Sequence, residues 1–137
     1  PRAGDRCLDL GASPGGWTWT LARLGATVLA VDKAPLDPAV AAHPNVTWQE
    51  GSAFGLDPRA AGRVDWLCSD VIAYPDRVLR RWIDTGDAGA MVVTIKFQGD
   101  TDQDAAERFA AIPGARVVHL HHNKHELTFL WDAAAPA

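Results

Sequence analysis

Three ionisable residues stand where apolar runs of this chain begin or end. Val64-Asp65-Trp66-Leu67-Cys68-Ser69 leads into Asp70, Met91-Val92-Val93-Thr94-Ile95 leads into Lys96, and Glu126 opens the apolar stretch that closes at Trp131. An unpaired ammonium at the tip of a buried strand is costly. Lys96 is therefore either half of a structural ion pair with Asp70 or part of a group that acts on a ligand. A second cluster carries different chemistry. Asp9-Leu10-Gly11-Ala12-Ser13-Pro14-Gly15-Gly16-Trp17 reads as a strand end followed by a turn in which Gly11, Gly15 and Gly16 let the backbone bend and approach a ligand. The next apolar run, residues 26–31, ends in Asp32, where a carboxylate can accept hydrogen bonds from both hydroxyls of a ribose.

Positioning these residues requires strands that share one edge. A helix over residues 17–24 follows the glycine-rich turn and offers its first-turn N–H groups to the crevice. Serine at position 13 breaks the G-x-G-x-x-G dinucleotide fingerprint, so strand, turn, helix, strand and acid read as an adenosine-binding half-site. Asp37 caps a short helix that starts at Pro38 and runs through Ala42. A third strand covers 45–49 and delivers Gly51-Ser52-Ala53-Phe54 to the same edge. Strands over 64–70 and 88–96 flank a helix that starts at Tyr74-Pro75 and reaches about Thr85. A helix over 101–112, capped by Thr101 or Asp102, is broken by Pro113-Gly114. Strands over 115–121 and 126–131 are joined by only His122-Asn123-Lys124-His125, a link short enough to allow nothing but an antiparallel hairpin. The expected fold is α/β: a seven-stranded, mostly parallel sheet with an antiparallel last strand and helices on both faces. In such a sheet parallel strands present their carboxyl ends, and an antiparallel strand its start, to one crevice. Asp70, Lys96 and Glu126 then converge beside the adenosine half-site.

The stretch from Asp9 to Trp17 resembles motif I of the FtsJ-like S-adenosylmethionine-dependent ribose 2′-O-methyltransferases. Asp70, Lys96 and Glu126 match the last three members of that family's Lys-Asp-Lys-Glu tetrad. The segments 64–70, Ile95-Lys96-Phe97 and 121–128 are similar to the branch that acts on large-subunit ribosomal RNA, and the resemblance extends from Asp9 to about Trp131. It implies a Rossmann-like class I methyltransferase fold, S-adenosylmethionine as cofactor and an RNA substrate, ribosomal RNA in particular. By the same resemblance Asp9, Gly11, Ala12, Ser13, Pro14, Gly15, Gly16 and Trp17 hold the cofactor, together with Asp32, Lys33, Ser52, Ala53, Phe54 and Asp70. Lys96 becomes the base, with Asp70 and Glu126 orienting it and the ribose. Two departures stand out. The tetrad's first lysine belongs upstream of Asp9, where this chain has none. The acid that often follows the glycine near the adenine is replaced by Ser52, which leaves selectivity to backbone groups or Asp57. Phe54 either packs on the adenine or covers the core.

With 137 residues and 47% hydrophobic content the chain can bury one core, so a single catalytic domain is expected. No apolar run approaches the ~18 residues of a membrane span, and no signal peptide is visible. Cys7 and Cys68 fall in core strands and read as buried free thiols, which suits the cytoplasm. A formal net charge of −4 is the wrong sign for gripping RNA unaided, so RNA affinity is expected from an N-terminal segment or domain outside this chain. His119, His121, His122 and His125 lack partners at ligand spacing, and no metal site is expected. Arg77, Arg80 and Arg81 share a helical face that is either solvated or touches phosphate. The tryptophans read mostly as core, with Trp17 near the ligand. A methyltransferase for small molecules or proteins, and a non-catalytic binding module, are the competing readings.

Overall fold

The computed structural model describes residues 1–70, 76–96, 107–118 and 126–133. Its strands are β1 (Arg6–Leu10), β2 (Thr27–Asp32), β3 (Val46–Glu50), β4 (Val64–Ser69), β5 (Ala88–Lys96), β6 (Ala115–Val118) and β7 (Glu126–Asp132). They form one seven-stranded sheet in the order β3-β2-β1-β4-β5-β7-β6. The pairings from β3 through β5 are parallel, and β7 runs antiparallel to both β5 and β6. The hairpin expected from the short 122–125 link is therefore present, with β7 on its inner side. The 122–125 link and the four histidines at 119, 121, 122 and 125 lie outside the described residues. So do Tyr74-Pro75, Phe97 and the start of the helix expected from Thr101 or Asp102, of which residues 107–110 are helical.

Alternation along the strands builds two cores. Leu8 and Leu10 of β1 face one way, with Leu67, Met91, Val93 and Phe129, under Trp82 and Leu79 of α4 (Asp76–Thr85) and under Phe109. Cys7 and Cys68 face the other way, with Val28, under Leu21 and Ala22 of α1 (Gly16–Arg23). This period-two split is what strands covered on both faces require. Burying each large side chain contributes about 1.5–3 kcal/mol, and Trp82, Phe109 and Phe129 are almost wholly buried. Both cysteines are free and buried. Burial is the main cause that pushes the Cys7 thiol up to about 11 and Cys68 to about 12, so both stay protonated at neutral pH.

The connecting helices are short. In α2 (Pro38–Ala41), Asp37 caps the helix by accepting from Ala39 N at 2.9 Å, as expected. A second short helix, α3 (Pro58–Ala61), is built the same way, with Asp57 accepting from Arg59 N at 2.9 Å. Its Asp-Pro signature repeats that of Asp37-Pro38, and the sequence reading missed it. Two tryptophans expected in the core are half-exposed. Trp19 lies on the outer side of α1, edge-on to His43 with Arg23 over its ring. Trp48 is on β3, an edge strand, whose side chains from Thr47 to Glu50 are exposed.

Candidate active site

The glycine-rich turn is tied to the tip of β2. Gly11 N and Ala12 N both donate to Val31 O, at 2.7 and 3.2 Å, and Ser13 N donates to Asp32 Oδ2 at 2.9 Å. The other oxygen of Asp32 accepts from Ala34 N at 2.9 Å, while Ser13 Oγ donates to Pro35 O at 2.8 Å. Asp32 thus shapes the turn with one lone pair of each oxygen. The second lone pair of each remains for a ribose hydroxyl. Gly11 takes a φ of 74° and Gly15 one of 124°, backbone that other residues rarely adopt. At Gly15 a Cβ would also stand 2.9 Å from Val40 Cγ1. The bareness of Gly15 therefore serves packing against α2, whereas a Cβ at Gly16 would meet no protein atom within 4 Å.

Asp9 lies below this turn. Only 2% of it is exposed, and its Oδ2 accepts the Thr18 hydroxyl at 2.7 Å. Helix α1 begins after Gly15 with no side-chain cap and no acid in its first turn. A carboxylate near first-turn donors stabilises a helix start, and Asp9 supplies one from β1, bonded to the Thr18 hydroxyl. Burial raises the Asp9 carboxyl from 3.8 to about 6, with Asp70 and Asp32 adding to the rise and the hydrogen bond from the Thr18 hydroxyl opposing it. Thr18 was not singled out from sequence. The available signal was a helix start at glycine, which leaves the cap to come from another element.

Two cavities meet at Gly11. One, of about 240 Å³, is lined by Asp9, Ala12, Ser13, Pro14, Gly16, Trp17 and Asp70 as well as Gly11. The other, of about 300 Å³, has Asp32 and Lys33 on one side and Gly51, Ser52, Ala53 and Phe54 on the other. Of the residues expected to hold the cofactor, Gly15 alone lines neither cavity. The chemistry of the two linings fits an adenosyl amino acid. Carboxylates stand ready for ribose hydroxyls and for an ammonium, the start of α1 offers N–H groups, and a flat Phe54 ring borders the second cavity. Asp57 is not at this site: it caps α3, and its Oδ2 is 3.4 Å from Arg81. That corrects its expected part in adenine selectivity.

Asp70 follows β4, whose last residue, Ser69, is buried and donates its hydroxyl to Leu10 O at 3.0 Å. This bond holds the tip of β4 against β1 and brings Asp70 into the wall shared with Asp9. Lys96 ends β5 and Glu126 begins β7, and the two are opposed in the β5–β7 register. Of the arginines on α4, Arg80 donates to Arg108 O at 3.1 Å and Arg81 pairs with Asp57. Both are occupied in bracing α4, which favours the solvated-face reading.

The strand order, with a glycine-rich turn and acids at the tips of β1 and β2, defines a Rossmann-like methyltransferase fold. A pre-rRNA processing protein, fibrillarin, from Methanococcus jannaschii shares it with a TM-score of 0.69 at 20% identity, over 96% of this chain and 67% of that one. A 1,6-didemethyltoxoflavin N1-methyltransferase from Burkholderia thailandensis, solved with bound S-adenosylhomocysteine, shares it with a TM-score of 0.66 at 18% identity, over 98% and 72%. Residues 2–94 match the model of the FtsJ-like methyltransferase family, and the chain belongs to that family. Among curated relatives, the ribosomal RNA large subunit methyltransferase M of Halorhodospira halophila is 37% identical over 137 residues, covering 93% of this chain. The chain spans about 40% of that relative's length. Among the described residues, no helix is long and apolar enough to cross a membrane.

Proposed function

We propose that this chain is the catalytic domain of an RNA ribose 2′-O-methyltransferase that uses S-adenosylmethionine and acts on large-subunit ribosomal RNA in the cytoplasm. The observation that carries the reading is the convergence at one sheet edge. Two cavities share Gly11, Asp70 stands in the wall of one, and Lys96 and Glu126 are register partners at the adjacent strand ends. Family membership supports the donor, and the name of the large-subunit relative supports the substrate. The free, buried cysteines suit a reducing compartment.

S-adenosylmethionine, when bound, supplies an electrophilic methyl group. Asp32 would hold its ribose, Ser52, Ala53 and Phe54 would border its base, and Asp9 and Asp70 would face its cationic amino-acid end. Lys96 removes the proton from the acceptor 2′-hydroxyl. An ordinary lysine, with a pKa of about 10.4, is protonated at neutral pH, so this role needs desolvation or a neighbouring cation to free the amine. Asp70 and Glu126 act in the opposite direction on the amine, and their part is to orient it and the acceptor ribose. The first tetrad lysine and the surface that grips RNA are assigned to the additional length that the relatives carry.

The test is incubation of the chain, alone and joined to the upstream part of a relative, with S-adenosylmethionine and large-subunit RNA, followed by nuclease digestion and mass spectrometry. A 2′-O-methylated nucleoside that depends on Lys96 is expected. Methyl transfer only to bases, protein or metabolites would overturn the reading.

A further inference from the structure

Two tryptophans are open to solvent, and both lie on the face of the sheet that carries α1 and α2. Trp19 is 39% exposed and Trp48 37%. Trp48 is the register partner of Ala30, which packs with Ala12, Leu36 and Val40 on that face, and register partners in a parallel pair point the same way. Trp19 belongs to the outer stripe of α1, where Gly16, Trp19, Thr20 and Arg23 follow one another at helical spacing and are all exposed. Its ring meets two polar side chains. The Arg23 guanidinium lies over it, 6.0 Å from the centroid, and the His43 ring stands edge-on at 6.0 Å. Asn45 N donates to His43 Nδ1 at 3.1 Å, which leaves Nε2 as the N–H donor of that ring.

Trp19 also walls a groove of about 350 Å³ with Pro14, Gly15, Gly16, Asp37 and Val40. Pro14 and Gly16 line the smaller crevice cavity too, so groove and cavity adjoin at the glycine-rich turn. Asp37, the acid in the groove wall, accepts from Ala39 N at 2.9 Å, and α1 carries no acid. A flat ring beside a cation and an N–H donor is suited to a nucleotide, whose base stacks while the polar groups take its phosphate.

We propose that Trp19, with Arg23 and His43, is a stacking platform for one unpaired nucleotide of the RNA that the adjoining crevice methylates. Trp48 offers a second ring on the same face. The proposal deepens the substrate reading above and rests on it. It gives an acidic chain a local hold on single-stranded RNA through stacking, where net charge gives none. Duplex RNA, whose bases are already stacked on one another, cannot use the platform.

Fluorescence anisotropy of the chain with a short, labelled single-stranded RNA of mixed sequence at low salt tests this. Trp19→Ala should weaken binding about tenfold, the loss of one base–aromatic stack, and Trp19→Phe should stay within about threefold of wild type. Arg23→Ala should weaken it severalfold and lower the salt slope by about one. Inorganic polyphosphate, which has the charge without the bases, should bind wild type and Trp19→Ala alike. S-adenosylhomocysteine affinity should be unchanged in every variant. Unchanged RNA binding in Trp19→Ala, an equal loss for polyphosphate, tighter binding of the duplex, or no RNA binding by wild type would each overturn the platform and leave the substrate reading standing. Dimers that Trp19→Ala dissolves, without RNA binding, would make this face a contact between copies of the chain and overturn the platform equally. Methyl transfer to protein or metabolites alone would overturn the substrate reading and the platform with it. If Trp19→Ala does not fold, the salt slope of Arg23→Ala decides the matter.

Discussion

Lys96, the last residue of β5, and Glu126, the first of β7, are partners across the antiparallel ladder. On the other side of β5, Ser69 at the end of β4 is level with Val93. β5 therefore runs on past β4, and Lys96 stands about 7 Å further along the strand direction than Asp70, at roughly 3.3 Å per residue. Asp70 is thus set back in the cavity wall while Lys96 and Glu126 stand forward. A ligand in the cavities and an acceptor arriving from outside would meet between these two levels.

Replacing Lys96 by alanine should abolish methyl transfer, a loss of at least a thousandfold. Its position forward of the cavities predicts that S-adenosylhomocysteine affinity stays within about threefold of wild type. Single-turnover assays and calorimetry on the same preparation check this. Retained turnover would remove Lys96 from the mechanism, and lost affinity would move it into the cofactor site.

Asp32 has a double task, and its removal should show both. Alanine there strands the N–H groups of Ser13 and Ala34, at about 1–3 kcal/mol for each donor left unsatisfied away from water. Both sites are partly open to water, so the expected loss of stability is nearer 1–2 kcal/mol in all. Cofactor affinity should fall at least tenfold, because the turn loses its anchor and the ribose its acceptor. Denaturant unfolding and calorimetry separate the effects, and unchanged affinity would mean that the ribose does not rest on Asp32.

Much of this arrangement was legible from residue types, and the exceptions have physical causes. Apolar runs ending in Asp32, Asp70 and Lys96 announce strand tips, because charge terminates burial. The glycines after Asp9 announce the turn. Trp19 and Trp48 were assigned to the core because apolar character suggests burial. β3 is one edge of the sheet, and no local pattern reveals where a strand stands in the sheet order. Asp57 is, beside backbone groups, one of two alternatives for adenine selectivity in the sequence, although Asp57-Pro58 has the same cap signature as Asp37-Pro38. The bond between Thr18 and Asp9 joins two elements through space. From the sequence it is visible only as a helix start that lacks its own cap.

Gly15 should be intolerant of even one methyl group. Alanine there combines a φ of 124° with a Cβ 2.9 Å from Val40 Cγ1, and about 2–3 kcal/mol of destabilisation is expected. Adding Val40→Ala to Gly15→Ala should recover the steric share and leave the backbone share. A double-mutant cycle measured by urea unfolding reads the difference. Full additivity would show that Val40 is not the obstacle.

Asp9 should cost the chain stability at neutral pH. Its carboxyl is raised from 3.8 to about 6, chiefly by burial, so between those values the folded protein binds more protons than the unfolded one. Its stabilising share is complete below about pH 4 and is lost as pH rises through about 6. At about 1.36 kcal/mol per unit, the loss approaches 3 kcal/mol at pH 7.5. Asparagine keeps the shape and an acceptor for Thr18 but does not ionise. Asp9→Asn should therefore match wild type near pH 4.5 to within about 1 kcal/mol and exceed it by about 2–3 kcal/mol at pH 7.5, while binding S-adenosylhomocysteine more weakly. Urea unfolding at the two pH values checks the sign. Parallel pH dependence in the two proteins would mean that the Asp9 carboxyl is ionised in the folded chain throughout this range.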